Sequence, residues 1–388
     1  MIKTGMIKTV GILGAGQLAR MLAQAGQPMG LDFIFLDPAR DACAAEFGEH
    51  LCAGWDDEAA LRELGRRADV VTFDFENVPE SSASLIESLC PVYPPPRALF
   101  ESQDRLREKT MMADLGIPVA PFYPVSSRPD LLAAVAAIGL PCVLKTRRLG
   151  YDGKGQAVLR FQEDMERAWQ ALGDSELVCE GFVSFQAECS IIAARDRHGR
   201  TVYWPLTRNL HRGGILAIST APAFDAALQA RAEAMILKLL DHLDYTGVMA
   251  LELFLADGEL LANEFAPRVH NSGHWSIDGA RTSQFENHLR AICGLPLAET
   301  DNLFKALMFN LLGEMPAFVS QPSADTAVIP GLHWHDYHKT PREGRKIGHV
   351  TLTATSDAAL RARAAQLAAA LGVAAELSLK AILAETGA

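Results

Sequence analysis

A lysine closing an apolar run, with glycines spaced through the charged stretch after it, is the first feature of this chain that could do chemistry: Lys145-Thr146-Arg147-Arg148-Leu149-Gly150-Tyr151-Asp152-Gly153-Lys154-Gly155-Gln156. Fixed cations plus main-chain donors able to close over an anion are what a triphosphate requires. A solvated basic hairpin would carry similar charges, but glycines at 150, 153 and 155, entered from a strand, fit the phosphate role better. Downstream, Glu180-Gly181-Phe182-Val183 follows another strand-like run. An extended backbone there can offer N–H and C=O groups to a base edge, and Glu188 can hold ribose hydroxyls; the plainer reading of Glu180 is an edge-strand charge. Glu252 and Glu264 flank Asp257-Gly258, a hairpin-turn signal. Antiparallel partners meet on one face, so two carboxylates among Leu and Phe would repel unless a divalent cation lay between them, and oxygen donors beside phosphates select Mg2+. Strand alternation leaves open that one of the two faces solvent. The run Ala266-Pro267-Arg268-Val269-His270-Asn271-Ser272-Gly273-His274-Trp275 follows at once, with Arg268 suited to hold an anionic intermediate by charge and Asn271 by hydrogen bonds. A polar loop capping a helix is the bland alternative.

These groups need elements to hold them. Residues 7–13, Gly14-Ala15-Gly16 and the amphipathic Gln17 to Gln27 read as strand, turn and helix; Leu31 to Leu36 and Ala68 to Phe75 add strands. Alternating β and α of this length implies a doubly wound parallel sheet. Four prolines between Pro91 and Pro96 argue against a helix or central strand and mark a first boundary soon after. A helix through Arg105 and Lys109, a helix Asp130 to Ile138 and a strand Cys142 to Lys145 follow. Short antiparallel strands are expected at Val178 to Glu180, Glu188 to Ala194, Thr201 to Leu206, Gly247 to Leu255 and Leu260 to Glu264. The tail reads as a strand Ala327 to Ile329, a loop rich in His, Lys and Arg, a strand His349 to Ala354 and a helix Asp357 to Leu371, together a small third lobe.

At 388 residues the chain has room for two or three domains. A net charge of −11 disfavours nucleic acid and anionic membrane as partners, since both repel an acidic surface. The apolar runs are too short to span a bilayer, and seven cysteines without a C-x-x-C pair suit reduced thiols in the cytoplasm. Gly14-Ala15-Gly16-Gln17-Leu18-Ala19, with Asp37 about twenty residues on, fits a dinucleotide fingerprint. Many α/β folds need such a turn without a nucleotide, and nothing later in the chain offers a hydride site.

In combination, the lysine with its glycine loop, Glu180 to Val183, the Glu252 and Glu264 pair and the Asn-Glu-x-x-x-Arg run from Asn263 resemble the ATP-grasp superfamily of carboxylate–amine ligases. Phe75-Glu76-Asn77, Gly150 to Gln156, Ala266 to His274 and Gly344-Arg345-Lys346-Ile347-Gly348-His349 narrow the resemblance to the N5-carboxyaminoimidazole ribonucleotide synthetase family of purine biosynthesis. The resemblance implies an ATP-grasp fold: an N-terminal Rossmann-like domain over 6–104, a central α+β ATP-binding domain with a glycine-loop lid over 105–326, and a C-terminal lobe over 327–388. It implies that the N-terminal domain binds no nicotinamide. ATP, bicarbonate and 5-aminoimidazole ribonucleotide would react through carboxyphosphate, and the lid would shield that short-lived intermediate from water.

By the same resemblance Arg105, Lys145, the loop Gly150, Tyr151, Asp152, Gly153, Lys154, Gly155 and Gln156, then Glu180, Gly181, Phe182, Val183, Glu188, His211, Asn263 and Glu264 would face ATP, with Glu252 and Glu264 on Mg2+. Arg268, His270 and Asn271 match the catalytic positions around bicarbonate and the amine. Glu76, Tyr151 and Asp152 match the aminoimidazole and ribose side. Lys339 and Arg345 would take the 5′-phosphate, with Lys346 or Arg342 as substitutes. The resemblance also implies a homodimer. A formate-using relative, such as formate-dependent glycinamide ribonucleotide transformylase, would share the nucleotide and metal residues. The tyrosine-bearing glycine loop and Arg268 to His274 favour the carboxylating ligase, and Arg268 and His270 speak against a non-catalytic nucleotide sensor.

Overall fold

The computed structural model describes residues 7–150, 155–316 and 329–371, whose strands fall into three sheets. The first is parallel, with β1 (Thr9–Leu13), β2 (Asp32–Leu36), β3 (Glu49–Leu51) and β4 (Val70–Phe73) in the order β3-β2-β1-β4. Its inner strands β1 and β2 are buried at every residue after the first, as a parallel sheet covered on both faces demands. Helices α1 (Gln17–Gly26), α2 (Glu58–Arg67), α3 (Glu80–Glu87) and α4 (Pro96–Ser102) accompany it. The proline cluster does not exclude α4: Pro96 sits in the first turn, where a missing N–H costs nothing.

Helix α5 (Arg105–Asp114) starts where Asp104 turns its carboxylate back onto the N–H groups of Leu106 and Arg107, which fixes the first-turn residue Arg105. A small antiparallel sheet follows, β5 (Phe122–Val125), β6 (Cys142–Thr146), β7 (Gln156–Leu159) and β8 (Leu177–Gly181), in the order β5-β8-β6-β7. Helices α6 (Arg128–Ile138) and α7 (Asp164–Leu172) pack on it around Val125, Leu144 and Cys179. Strand β5 carries a proline, Pro124; it is tolerated because β5 lies at the sheet edge.

The large antiparallel sheet contains β9 (Ala187–Arg195), β10 (Thr201–Tyr203), β11 (Thr207–Arg212), β12 (Ile215–Ala221), β13 (Gly247–Ala256), β14 (Glu259–Ala266), β15 (Lys305–Gly313), β16 (Leu332–Asp336) and β17 (Arg342–Ala354). Its path is β14-β13-β9-β11-β12-β15-β17-β16, with β10 beside β9. Helices α8 (Ala226–His242), α9 (Ser276–Gly279), α10 (Gln284–Ile292) and α11 (Asp357–Leu371) complete the described chain. The tail strands extend this sheet through the β12–β15 and β15–β17 pairings, so hydrogen bonding runs on from the central strands into the tail. The 326/327 division and the expected strand residues Ala327 and Val328 lie outside the described residues. Strand β17 begins at Arg342, earlier than the expected His349. Its first residues are mostly charged and exposed, and the neighbouring strand β15, not apolar alternation, holds them extended.

Candidate active site

The hairpin β13–β14 sets Glu252 directly opposite Glu264. Each carboxylate also has a nitrogen partner: Glu264 accepts from Arg105 Nη1 at 2.6 Å, and Glu252 Oε1 lies 3.1 Å from His270 Nε2. Burial would raise both acids, but His270 holds Glu252 below the usual carboxylate range and Arg105 does the same for Glu264 despite the Glu252 charge across from it. Both are therefore ionised, hard oxygen donors on one wall. Among the described residues no third His, Cys, Asp or Glu joins them to complete a protein cage. Two carboxylates without a cage fit Mg2+, which keeps its other positions for phosphate oxygens and water.

That wall borders a cavity of about 620 Å3 that also reaches Glu76, His211, Arg268, Lys339 and Lys346. Glu76, from the end of β4, and Arg268, from the loop after β14, form an ion pair; burial opposes both charges, and each partner outweighs it for the other. His211 Nδ1 meets Glu188 Oε2 at 3.0 Å, and the carboxylate raises the His211 pKa against the effect of burial. Lys145 Nζ and Lys109 Nζ converge on Glu180 Oε2 at 3.0 and 3.2 Å, while Lys109 donates to Asn263 O at 3.0 Å. Burial would push the Glu180 pKa up, but the two lysines hold it down; burial lowers that of Lys145 despite Glu180. The nucleotide-side positions Lys145, Glu180 and Asn263 are thus joined through Lys109, whose place sequence reasoning did not see.

Several expected contacts take a different form. Glu180 is no edge charge: β8 is an inner strand, and Glu180 is almost fully buried. Gly181 and Phe182 already donate their N–H groups to Pro121 O and Pro141 O, so these two donors are not free to meet a base edge. Gln156 opens β7 opposite Lys145, and Gly150 O accepts from Arg105. Gly155, with φ +72°, takes the left-handed conformation its lack of a Cβ allows. Tyr151, Asp152, Gly153 and Lys154 lie outside the described residues.

Asn271 borders the cavity, but its amide is engaged in both directions by Asn310, which donates at 2.6 Å and accepts at 3.1 Å. Asn310 also donates to Leu216 O at 2.9 Å. Arg345 turns to Thr340 O at 3.0 Å, whereas Lys346, its neighbour on β17, borders the cavity beside Lys339. Strand alternation is the reason: consecutive side chains take opposite faces, and only one of the two points inward.

The glycine turn after β1 also borders this cavity, but its anion-binding donors are taken. Asp37 accepts from Ala15 N at 3.0 Å, and Asp74 accepts from Gly16 N at 2.9 Å and Ala19 N at 3.2 Å. A Cβ on Gly14, whose φ is +110°, would lie 1.6 Å from Asp74 Oδ1. The protein's own carboxylate thus fills the place where a dinucleotide fold puts pyrophosphate. Asp74, with Gln17 and Trp55, is a cavity residue that sequence reasoning missed; its position two before Glu76 was the available signal.

A carboxylate hairpin in a large antiparallel sheet, facing a smaller sheet that brings a lysine and a glycine loop, is the arrangement of the ATP-grasp class. The chain matches the ATP-grasp domain family over residues 110–285, the ribonucleotide synthetase preATP-grasp domain over 7–103, and the phosphoribosylaminoimidazole carboxylase C-terminal domain over 306–363. It is 50% identical over 360 residues to the N5-carboxyaminoimidazole ribonucleotide synthase of Pseudomonas aeruginosa, covering 93% of this chain and 98% of that one. Among solved structures, the N5-carboxyaminoimidazole ribonucleotide synthetase of Thermus thermophilus superposes with a TM-score of 0.89 at 48% identity, over 94% of this chain and 99% of that one. The Aspergillus clavatus enzyme, solved with ADP and 5-aminoimidazole ribonucleotide, gives 0.87 at 28% identity, over 94% and 99%. The chain belongs to the N5-carboxyaminoimidazole ribonucleotide synthase family.

Proposed function

We propose that the chain is an ATP-dependent carbon–nitrogen ligase of purine biosynthesis that joins bicarbonate to 5-aminoimidazole ribonucleotide, yielding N5-carboxyaminoimidazole ribonucleotide, ADP and phosphate. The observation that carries this reading is one cavity lined together by the Glu252 and Glu264 pair, by Glu76 and Arg268, and by Lys339 and Lys346. It brings metal-binding carboxylates, a pair of opposite charges and two ammonium groups to one space, the three sets of groups that a triphosphate, a small electrophile and a phosphorylated amine require.

Glu252 and Glu264 would hold Mg2+, which when bound offsets the negative charge of the phosphates. Lys145 and Arg105 bring fixed positive charge to the nucleotide side, with Lys145 oriented by Glu180. Bicarbonate oxygen attacks the γ-phosphorus and the bond to ADP breaks, giving carboxyphosphate. Arg268, largely withdrawn from water, offsets the charge on this anion, and His270 stands next to it with its ring set by Glu252 and by Ser272 Oγ at 2.9 Å. The exocyclic amine then attacks the carboxyl carbon, the C–O bond to phosphate breaks, and the amine's proton passes to the departing phosphate. Glu76, kept ionised by Arg268, is the acceptor that would orient that amine. Asn271, tied to Asn310, shapes the wall. Lys339 and Lys346 would take the 5′-phosphate.

A homodimer is part of the same reading, supported by the family resemblance. A cytoplasmic location is supported by seven free thiols that suit a reducing compartment. Organisation into 6–104, 105–326 and 327–388 is supported by the separate parallel sheet at the start of the chain. ADP release measured with ATP and bicarbonate, with and without the aminoimidazole ribonucleotide, tests the function: strong stimulation is expected, and its absence refutes the assignment.

A further inference from the structure

Lys339 reaches the cavity from a turn between β16 and β17, and helix α1 of the first sheet grips that turn at two successive residues. Gln17 Oε1 accepts from the Lys339 ammonium. One helical turn later, on the same face of α1, Arg20 Nη2 lies 3.3 Å from His338 Nδ1. A guanidinium only donates, so the His338 nitrogen is the acceptor. Arg20 is itself heavily constrained. It is 4% exposed, donates to Cys43 O at 3.0 Å and to Glu46, and stands over the Phe47 ring with its guanidinium carbon 4.8 Å from the centroid. Glu46 balances its charge.

The gripped turn is strained. His338 has φ +53°, a left-handed conformation costly for a residue with a Cβ, and its N–H is held by Asp336 Oδ1 at 2.7 Å. Such a conformation persists only where surrounding contacts over-determine it, and here they come from Asp336 beside it and from Arg20 on helix α1. None of Arg20, Glu46 and His338 borders the substrate cavity.

We propose that Arg20 is a positioning residue for ribonucleotide recognition: from α1 it clamps the His338 turn, with Glu46 as counter-charge, and so presets the Lys339 ammonium at the phosphate end of the cavity. The proposal rests on the assignment of that end to the ribonucleotide phosphate. A lysine already immobilised loses little freedom when an anion docks, whereas a loose one must be ordered at that moment, a difference worth about tenfold in affinity.

Three variants test the clamp. Arg20→Met removes the donors while keeping bulk. His338→Gly accepts the left-handed backbone but loses the acceptor, and His338→Asn accepts it and restores an acceptor. Arg20→Met and His338→Gly are expected to raise KM for 5-aminoimidazole ribonucleotide about tenfold, with kcat and KM for ATP within about twofold of wild type, and His338→Asn is expected to stay near wild type. His338→Gly is a surface change and keeps the test available if Arg20→Met folds poorly. An unchanged ribonucleotide KM in His338→Gly, or an equal rise in KM for ATP, overturns the proposal. The clamp is also read without turnover: in crystals of ligand-free His338→Gly the Lys339 ammonium is expected to leave Gln17, and its retention there overturns the clamp. Failure of the functional assignment shows separately, as a wild-type enzyme whose ADP release ignores the ribonucleotide.

Discussion

Replacing Glu264 by Gln separates catalysis from stability in a way the geometry makes quantitative. The change removes a favourable pairing with Arg105, in contact at 2.6 Å, and an unfavourable one with Glu252 directly across the hairpin. With charge centres about 4 Å apart and an effective dielectric near 20, the lost attraction is about 4 kcal/mol; at about 5 Å the relieved repulsion is about 3 kcal/mol. Glu264 is 38% exposed, so water screens both, and the residual change in stability is expected to be within about 1 kcal/mol. Activity has no such compensation. A neutral amide is a much poorer Mg2+ ligand than a carboxylate, and since disturbing even an outer partner of a metal ligand costs about 10- to 100-fold, loss of this ligand is expected to cost at least about 100-fold in ribonucleotide-stimulated ADP release. The assay pairs that rate, at two Mg2+ concentrations, with urea unfolding of the same preparation. Partial rescue by high Mg2+ is expected. Activity above a tenth of wild type, or a collapse of stability that accounts for the loss, would refute the reasoning.

Other outcomes follow from buried polar groups. Asn310→Leu strands the Asn271 amide and Leu216 O, so urea unfolding should show a loss of about 1–3 kcal/mol and kcat should fall; a kcat equal to wild type would show that Asn271 needs no support. Burial, with Asp37 nearby, raises Asp74 to about 6, so the neutral carboxyl's advantage is complete below its ordinary value of 3.8 and is lost as pH rises through about 6. Asp74→Asn should therefore gain up to about 3 kcal/mol over wild type at pH 7.5 and nothing near pH 3.5, and a difference independent of pH would count against this. Gly14→Ala, which drives a methyl into Asp74 and demands φ +110° of a residue with a Cβ, should destabilise by more than about 2 kcal/mol; an unchanged urea midpoint would contradict the packing.

The chemistry was legible in the sequence because its parts are local. Strand, glycine turn and helix at 9–26, the carboxylates flanking Asp257-Gly258, and the lysine before the glycine loop are each set by neighbours within about a dozen residues. Strands β11, β12 and β15 were not legible, since their polar and apolar residues do not alternate cleanly and it is pairing within the large sheet that makes them extended.

Sequence alone determined which side chains could bind a triphosphate and a divalent cation, and that an acidic protein keeps a few cations for anionic substrates. Tertiary structure decided which of them meet. Asp74 closes the glycine turn to phosphate, Asn310 claims Asn271, Lys346 faces inward where Arg345 does not, and Arg20 holds a turn more than three hundred residues away along the chain. The physical reason is that a residue's type limits the bonds it can make, while its partner is whatever the folded chain brings within about 3 Å, and for these groups that partner comes from a different strand or a different sheet.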